Sequence, residues 1–460
     1  MLFHTQAFLL AFLPLTLAAY YVLAAHAQAR RWAMIAASLV FYGYWDWRLV
    51  PLLVGSVAVN WLLSGLPPRL PLRGVVAAGV AANLLLLGVF KYADFAVGSV
   101  EALLGLKHEP FGIVLPLGIS FFTFQQISYL VDLGRGTAPR YRFADYALWV
   151  VLFPHLIAGP IIRHYEIIEQ FKLEPLRPGL AERLSRGFVL LTLGIAKKVL
   201  LADPLGRLAD PVFQAAAEGR AIGLAEGWCA GLAFSLQIYF DFSGYSDMAM
   251  GLGLLLGLML PLNFLAPYRA TSIRAFWRRW HITLSRFLRD YLYIPMGGNR
   301  LGPAGRAGAT LATMLLGGLW HGAGWTFVAW GALHGTALAA NQLWARANRR
   351  CPALLGWLLT MLVVVAGFVL FRATSFAAAW EVLTGMAGLN GRGRLMAGAR
   401  DWWLVPLAGA IAIAGPTAHQ LALDRLRPSA WLAAATALLF VYLLLAVGGG
   451  RNTEFIYFQF

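Results

Sequence analysis

The chain has 460 residues, of which 60% are hydrophobic and 13% charged, against about a quarter charged in a soluble domain; its mean hydropathy is +0.66. An average this high over the whole length cannot come from one anchor, so the apolar residues occupy many bilayer-length segments, which excludes an ordinary soluble enzyme. The net charge of +16 fits cytoplasmic loops against anionic lipid, and no basic run with interleaved aromatics points to nucleic acid.

In chain order, apolar stretches fall near 2–24, 32–47, 49–65, 74–98, 113–131, 143–161, 185–202 and 223–240, then near 244–262, 308–320, 325–345, 354–371, 403–421 and 429–447. Allowing for short, re-entrant or interfacial pieces, they predict about eleven to thirteen spans of about 20 residues each. No ten-residue alternating strand pattern occurs, so the expected fold is all-α and polytopic. With no internal repeat and no low-complexity linker, one membrane domain over 1–460 is the simplest organisation. The first stretch, apolar from Phe8 to Leu17, lacks the positive leader of a secretory signal and reads as a retained first helix. Arg30 and Arg31 put the loop after it in the cytosol, and Arg425 and Arg427 do the same for the loop before the last span. Both termini are then expected on the outer, periplasmic side. Cys229 and Cys351 lie in different apolar regions and suggest neither redox chemistry nor a metal site.

One segment is too charged to span. From Ser272 to Tyr293, Ile273, Trp277, Trp280, Leu284, Leu288 and Tyr291 fall on one helical stripe, and Arg274, Arg278, Arg279, Arg286, Arg289 and Asp290 lie elsewhere around it. This predicts an amphipathic helix over 272–293 at the cytoplasmic interface, aromatic face inward.

Of nine histidines, His4, His26, His108, His164 and His419 lie near predicted span ends or loops, where solvated or structural roles suffice. His281 sits at the edge of the interfacial stripe between Trp277, Trp280 and Leu284, either as an interfacial ring satisfied by a backbone carbonyl or as a catalytic group. His321 stands in LLGGLWHGAGW beside Trp320, where glycines thin the backbone inside an apolar stretch. An ionisable residue there is a functional candidate, set against a buried histidine bonded between helices. A neutral imidazole in such a place could take the proton from a hydroxyl attacking a thioester. His155, bracketed by Pro154 and Pro160, could line a cavity in a broken helix. His334 follows His321 by thirteen residues, about 20 Å along a continuous helix, so the two share a site only where the chain bends. Asp241 and Asp247, in FDFSGYSDMAMG, fit metal or acid–base chemistry and equally well hydrogen bonds to neighbouring helices.

Taken together, the motifs resemble the membrane-bound O-acyltransferases, most closely the bacterial branch that O-acetylates exopolysaccharides such as alginate. The matching stretches are LPLGISFFTFQQISYLVD (115–132), FPHLIAGPIIR (153–163), YFDFSGYSDMAMGLG (239–253), NFLAPYRATSIRAFWRRWHITLSRFLRDYLYIPMGGNR (263–300), MLLGGLWHGAGWTFVAWGALHG (314–335) and FIYFQF (455–460). The resemblance implies His321 and His281 as the catalytic histidines, in a ring of tilted helices around a tunnel from the cytosolic donor side to the outer face. The 272–293 helix would then floor the cytoplasmic funnel. Its Arg278 and Arg279 suit the phosphates of acetyl-CoA, the expected donor, or the acidic surface of a carrier protein. Trp277, Trp280, Trp320, Asp241, Asp247 and His155 are tunnel-lining candidates. The terminal FIYFQF is similar to the tail of acyl-export systems in which a tyrosine holds the acyl group; Tyr457 is the matching residue, and an interfacial aromatic anchor is the alternative.

The expected function is transfer of an acetyl group from a cytosolic thioester across the bacterial inner membrane to an extracytoplasmic polysaccharide. It implies a periplasmic partner of acetyltransferase or esterase fold that reads the glycan, contact with membrane lipid, no metal and no bound cofactor. Peptidoglycan or cellulose as acceptor and D-alanyl transfer stay within this reading. A proton-coupled transporter or flippase, using His321 and the two aspartates as a proton path, is the alternative of another class.

Overall fold

The computed structural model describes residues 1–66, 72–106, 109–347, 351–393, 401–448 and 455–456. His108 and Tyr457 lie outside the described residues. Every regular element among them is helical, and much of the helical surface is apolar where a soluble protein would be polar. Leu15, Leu85, Leu103, Trp431, Leu438 and Leu445 all point outward, as lipid contact requires. The chain is an all-α polytopic membrane protein.

Three helices, Leu72–Leu104, Ala353–Arg372 and Ala430–Gly448, are each long and apolar enough to cross a bilayer, and Ala7–Val22, Trp47–Leu63 and Leu404–Ala414 are shorter apolar helices. Elsewhere the apolar stretches of the sequence do not map one to one onto helices. The stretch at 143–161 is broken into Phe143–Val151 and Phe153–Leu156, with Pro154 in the first turn of the second piece. The stretches at 223–240 and 244–262 run largely through one helix, Leu224–Leu255, about 48 Å long at 1.5 Å per residue. Its polar middle is therefore a helical face and not a loop.

The chain divides into two compact units. The first comprises Met1–Ile195, Tyr245–Leu262 and Ala422–Asn452. An aromatic cluster holds part of its core: Phe3 packs on Phe8 at 5.1 Å and on Tyr245 at 4.7 Å between ring centroids, and Phe12 meets Phe153 edge-on at 5.3 Å. Buried polar side chains bond across helices, Asn60 and Asn83 exchanging amide hydrogen bonds of 3.3 and 2.6 Å. Gln126 links Ser56 to Tyr146 in the same way. In lipid such bonds lock one helix register against another. Gly187 and Gly251 meet backbone to backbone, and a Cβ on either would fall within 2.9 Å of the other's carbonyl.

The second unit comprises Ala196–Gly244, Asn263–Leu421 and Thr453–Phe460. Its centre is the pair of helices Pro303–His321 and Trp325–Arg346, joined by only three residues. Glycines let them touch: a Cβ on Gly318 would lie 2.2 Å from the Phe327 carbonyl oxygen, and one on Gly331 would lie 2.3 Å from that of Met314. Because lipid offers little hydrophobic drive for helices to associate, close approach through small residues supplies much of the attraction. Gly318→Val should therefore lower the thermal stability of the purified protein by an amount equivalent to about 1–3 kcal/mol. Gly308→Ala on the same helix faces open space and should leave the melting temperature unchanged or slightly raised.

Candidate active site

The helix Pro303–His321 ends on His321 because Gly322 leaves the helical conformation for an extended one, φ −159°, and Gly324, φ −167°, caps the next helix. A side chain at Gly322 would run into the Phe327 ring, so the turn needs glycine for space. This bend decides how His321 relates to His334. Across the turn both pack on Trp330, His321 at 5.0 Å and His334 at 4.8 Å between ring centroids. They share one aromatic cluster instead of standing about 20 Å apart along a straight helix.

His281 joins that cluster from a second break. The expected single helix over 272–293 is instead two short helices, Ile273–Trp277 and Ile282–Leu288, followed by a wider turn at Arg289–Tyr293. His281 caps the second with φ +41°, a left-handed conformation that histidine tolerates better than most side chains. The break has a partner elsewhere in the chain. Leu265 donates its backbone N–H to the Arg279 carbonyl at 2.9 Å, and Ile282 donates to the Asn263 carbonyl at 3.0 Å. The segment around Asn263 thus takes backbone groups that a continuous helix would have used internally.

The amphipathic pattern survives the break. Phe276, Trp277, Trp280, Leu284 and Leu288 are buried, whereas Arg274, Arg278 and Arg289 are exposed and Arg279 is half-buried. Trp277 donates its indole N–H to His334 Nδ1 at 3.3 Å, and Trp280 stacks on Phe276 at 5.5 Å.

The two candidate histidines are adjacent and buried, their ring centroids 6.4 Å apart. Around them stand Trp320, 5.0 Å from His321 and 6.1 Å from His281, Phe371 at 5.3 Å from His321, and Phe242, edge-on to His281 at 4.7 Å. The hydrogen bonding assigns the His281 tautomer. Asn263 Oδ1 accepts from the Thr283 backbone N–H at 3.3 Å and from its hydroxyl at 2.9 Å. A backbone N–H can only donate, so the amide oxygen is the Asn263 atom that also faces His281 Nδ1 at 3.2 Å. Nδ1 therefore carries the hydrogen, and the lone pair of the neutral ring is on Nε2. Asn263 is the residue that sequence reasoning did not single out, although it is the first residue of the matching stretch at 263–300.

The remaining candidates take other places. Asp241 is fully buried in an ion pair with Lys198 at 2.8 Å, and Lys198 also reaches Asp203 at 2.9 Å. The other Asp241 oxygen accepts the backbone N–H of Ile456 at 2.8 Å, and the Lys198 ammonium sits 4.8 Å over the Phe455 ring. Asp241 is thus an ion-pair and tail-holding group. Asp247, about 240° further round the same helix, belongs to the first unit, as does His155. His155 is buried and accepts from Gln125 Nε2 at 3.1 Å once its Nδ1 carries the lone pair.

A family model described as the membrane-bound O-acyltransferase family matches residues 134–379, which hold both histidines and Asn263. The chain is 40% identical to the peptidoglycan O-acetyltransferase of Helicobacter pylori, over 85% of this chain and 80% of that protein. It is 38% identical, over the full length of both, to an Azotobacter vinelandii protein named "Probable alginate O-acetylase AlgI". A teichoic acid D-alanyltransferase of Streptococcus thermophilus is 28% identical over 51% of this chain and 58% of its own length.

The Asn263–His281 contact predicts that Asn263→Leu, similar in size but with no acceptor, lowers turnover about 10- to 100-fold, about 1.4–2.8 kcal/mol of transition-state stabilisation. Asn263→Asp, which keeps an acceptor for Nδ1–H, should retain more. Wild-type turnover in a stably folded Asn263→Leu variant would show that the amide does not orient the ring.

Proposed function

The chain belongs to the membrane-bound O-acyltransferase family, and on that footing we propose that it moves an acetyl group from cytosolic acetyl-CoA across the bacterial inner membrane for O-acetylation of an extracytoplasmic polysaccharide such as alginate. Membership makes it an O-acyltransferase and sets aside the transporter reading. The relatives named for O-acetylation match at about 40% identity over most of the chain, and those named for D-alanyl transfer match at 24–28% over little more than half of it. Acetyl is accordingly the group of choice. Peptidoglycan is the second acceptor, favoured by the H. pylori relative.

The observation that carries the reading is the pair of buried histidines, 6.4 Å apart, in a wall of aromatic rings. One imidazole can take the proton of an attacking hydroxyl as its oxygen bonds to the thioester carbonyl carbon. The carbon–sulfur bond then breaks, and the thiolate leaves and takes up a proton. We assign the base to His321, with His281 supporting it. His321 lies at the carbonyl end of its helix, where partial negative charge stands beside the imidazolium that forms. Apolar walls keep water from competing with the acceptor hydroxyl.

The tail supports a relay through Tyr457. The two residues just before it are docked, Phe455 over Lys198 and Ile456 on Asp241. Asp241 is the neighbour of Phe242, whose ring meets His281. In the proposed relay the Tyr457 hydroxyl is the first acceptor, and its ester then passes the acetyl group to a periplasmic partner of acetyltransferase or esterase fold. This splits one long transfer into two ordinary ester exchanges. Arg278 and Arg279 would meet the donor's phosphates or a carrier's acidic surface.

The test is mass spectrometry of the purified protein after incubation with isotope-labelled acetyl-CoA. Label on Tyr457 that disappears in His321→Ala and in Tyr457→Phe is the expected result, with thioester turnover in His321→Ala lowered at least about a thousandfold. Thioester turnover that needs His321 without label on Tyr457 would remove the relay and keep the transferase. Wild-type turnover in His321→Ala would overturn the assignment of the base.

A further inference from the structure

Within the first unit, three arginines converge on a cavity of about 330 Å³. Arg177, Arg183 and Arg186 line it with Glu182, Gly179 and Gln170, and Leu258, Met259 and Leu423 form an apolar margin. Their guanidinium groups are fixed by backbone carbonyls. Arg177 donates to Glu174 and Gly257 at 3.0 and 2.6 Å, and Arg183 to Pro178 and Pro175 at 2.7 and 2.9 Å. Arg186 donates to Ala422 and Leu423, both at 2.6 Å.

Carbonyls hold an arginine in place without cancelling its charge. Glu182 is the one carboxylate lining the cavity among the described residues, and its ion pair is with Arg186 at 2.8 Å. Arg177 and Arg183 therefore keep their charges side by side, and burial followed by the Arg183 charge pulls the Arg177 guanidinium below its usual range. The helix Leu180–Ala196 begins at the same cavity, so its positive end adds to the field.

The cavity lies on the side of the first basic loop. Arg30 donates to the carbonyls of Ala24, Phe171 and Leu173, and Tyr20 and Tyr21 donate to Leu256 and Leu255. The charge rule places that loop in the cytosol.

We propose that Arg177 and Arg183 form a binding site for a phosphate group at the cytoplasmic membrane surface, donated by an anionic phospholipid headgroup or by a soluble phosphate compound. Two preorganised forks beside a helix start suit phosphate oxygens, and the apolar margin suits a ligand whose other end is in the bilayer. The site stands independently of the transfer chemistry proposed above.

The full-length protein is tested in two arms. Native mass spectrometry compares retention of phosphatidylglycerol with that of phosphatidylcholine. Thermal melting in nanodiscs of phosphatidylcholine alone follows added inorganic pyrophosphate. Preferential retention of phosphatidylglycerol assigns the lipid source, and stabilisation by pyrophosphate assigns the soluble one. Either response should fall about fivefold for each guanidinium removed in Arg177→Gln and Arg183→Gln. Glu182→Gln leaves every carbonyl contact of the arginines in place and should strengthen the response about fivefold, which decides the matter if the arginine variants fail to fold. No response in either arm, or responses unchanged in all three variants, overturns the proposal.

Discussion

A backbone inside a bilayer has no water to bond, so any break in a helix must be satisfied by the protein itself. The buried histidine pair of this molecule follows from two such breaks. One is the three-residue turn after His321, and the other is the interruption at His281, whose backbone groups are met by the segment from Asn263 to Leu265. A histidine at the end of a helix presents its ring beyond the helical cylinder. Here the two broken ends place the two imidazoles 6.4 Å apart.

Close packing makes the breaks tolerable. Gly318, Gly331 and Gly335 bring Pro303–His321 against Trp325–Arg346 so tightly that a Cβ on any of them would meet the partner's backbone. Dispersion attraction along that seam offsets helical hydrogen bonds given up at the turn. The same seam carries Trp330 to the place where His321 and His334 both rest on it. Fold and site are here one set of interactions: the glycines that permit the hairpin also set the distance between its histidines.

The features legible in the sequence were those encoded locally. Hydropathy gave the all-helical membrane class, and an ionisable residue among glycines and tryptophans marked His321. The predicted stripe correctly sorted Ile273, Trp277, Trp280, Leu284 and Leu288 inward and Arg274, Arg278 and Arg289 outward, with Tyr291 half-buried. What stayed hidden depends on partners distant in the chain. Helical periodicity across 272–293 carries no sign that Arg279 and Ile282 bond to residues 263–265, so one helix was expected where there are two. Nothing around Asn263 says that its amide faces a histidine eighteen residues later. The polar run FDFSGYSDMAMG falls between two apolar stretches of the sequence, yet it lies on one unbroken helix.

Asp241 shows why charge in a membrane sequence is ambiguous until partners are known. A carboxylate and an ammonium, each only 2% exposed, are costly to bury unless geometry and further hydrogen bonds compensate. Here Lys198 is shared between Asp241 and Asp203, and the second oxygen of Asp241 takes a backbone N–H from the last residues of the chain. The Phe455 ring covers the ammonium from the same tail, which adds cation–π attraction where water is excluded. A buried ion pair contributes little net stability but fixes register, because a misplaced partner leaves a bare charge in a low dielectric. The aspartate that suggested acid–base chemistry is thus better understood as the group that fixes where the tail enters, one residue along the helix from the ring that packs on His281.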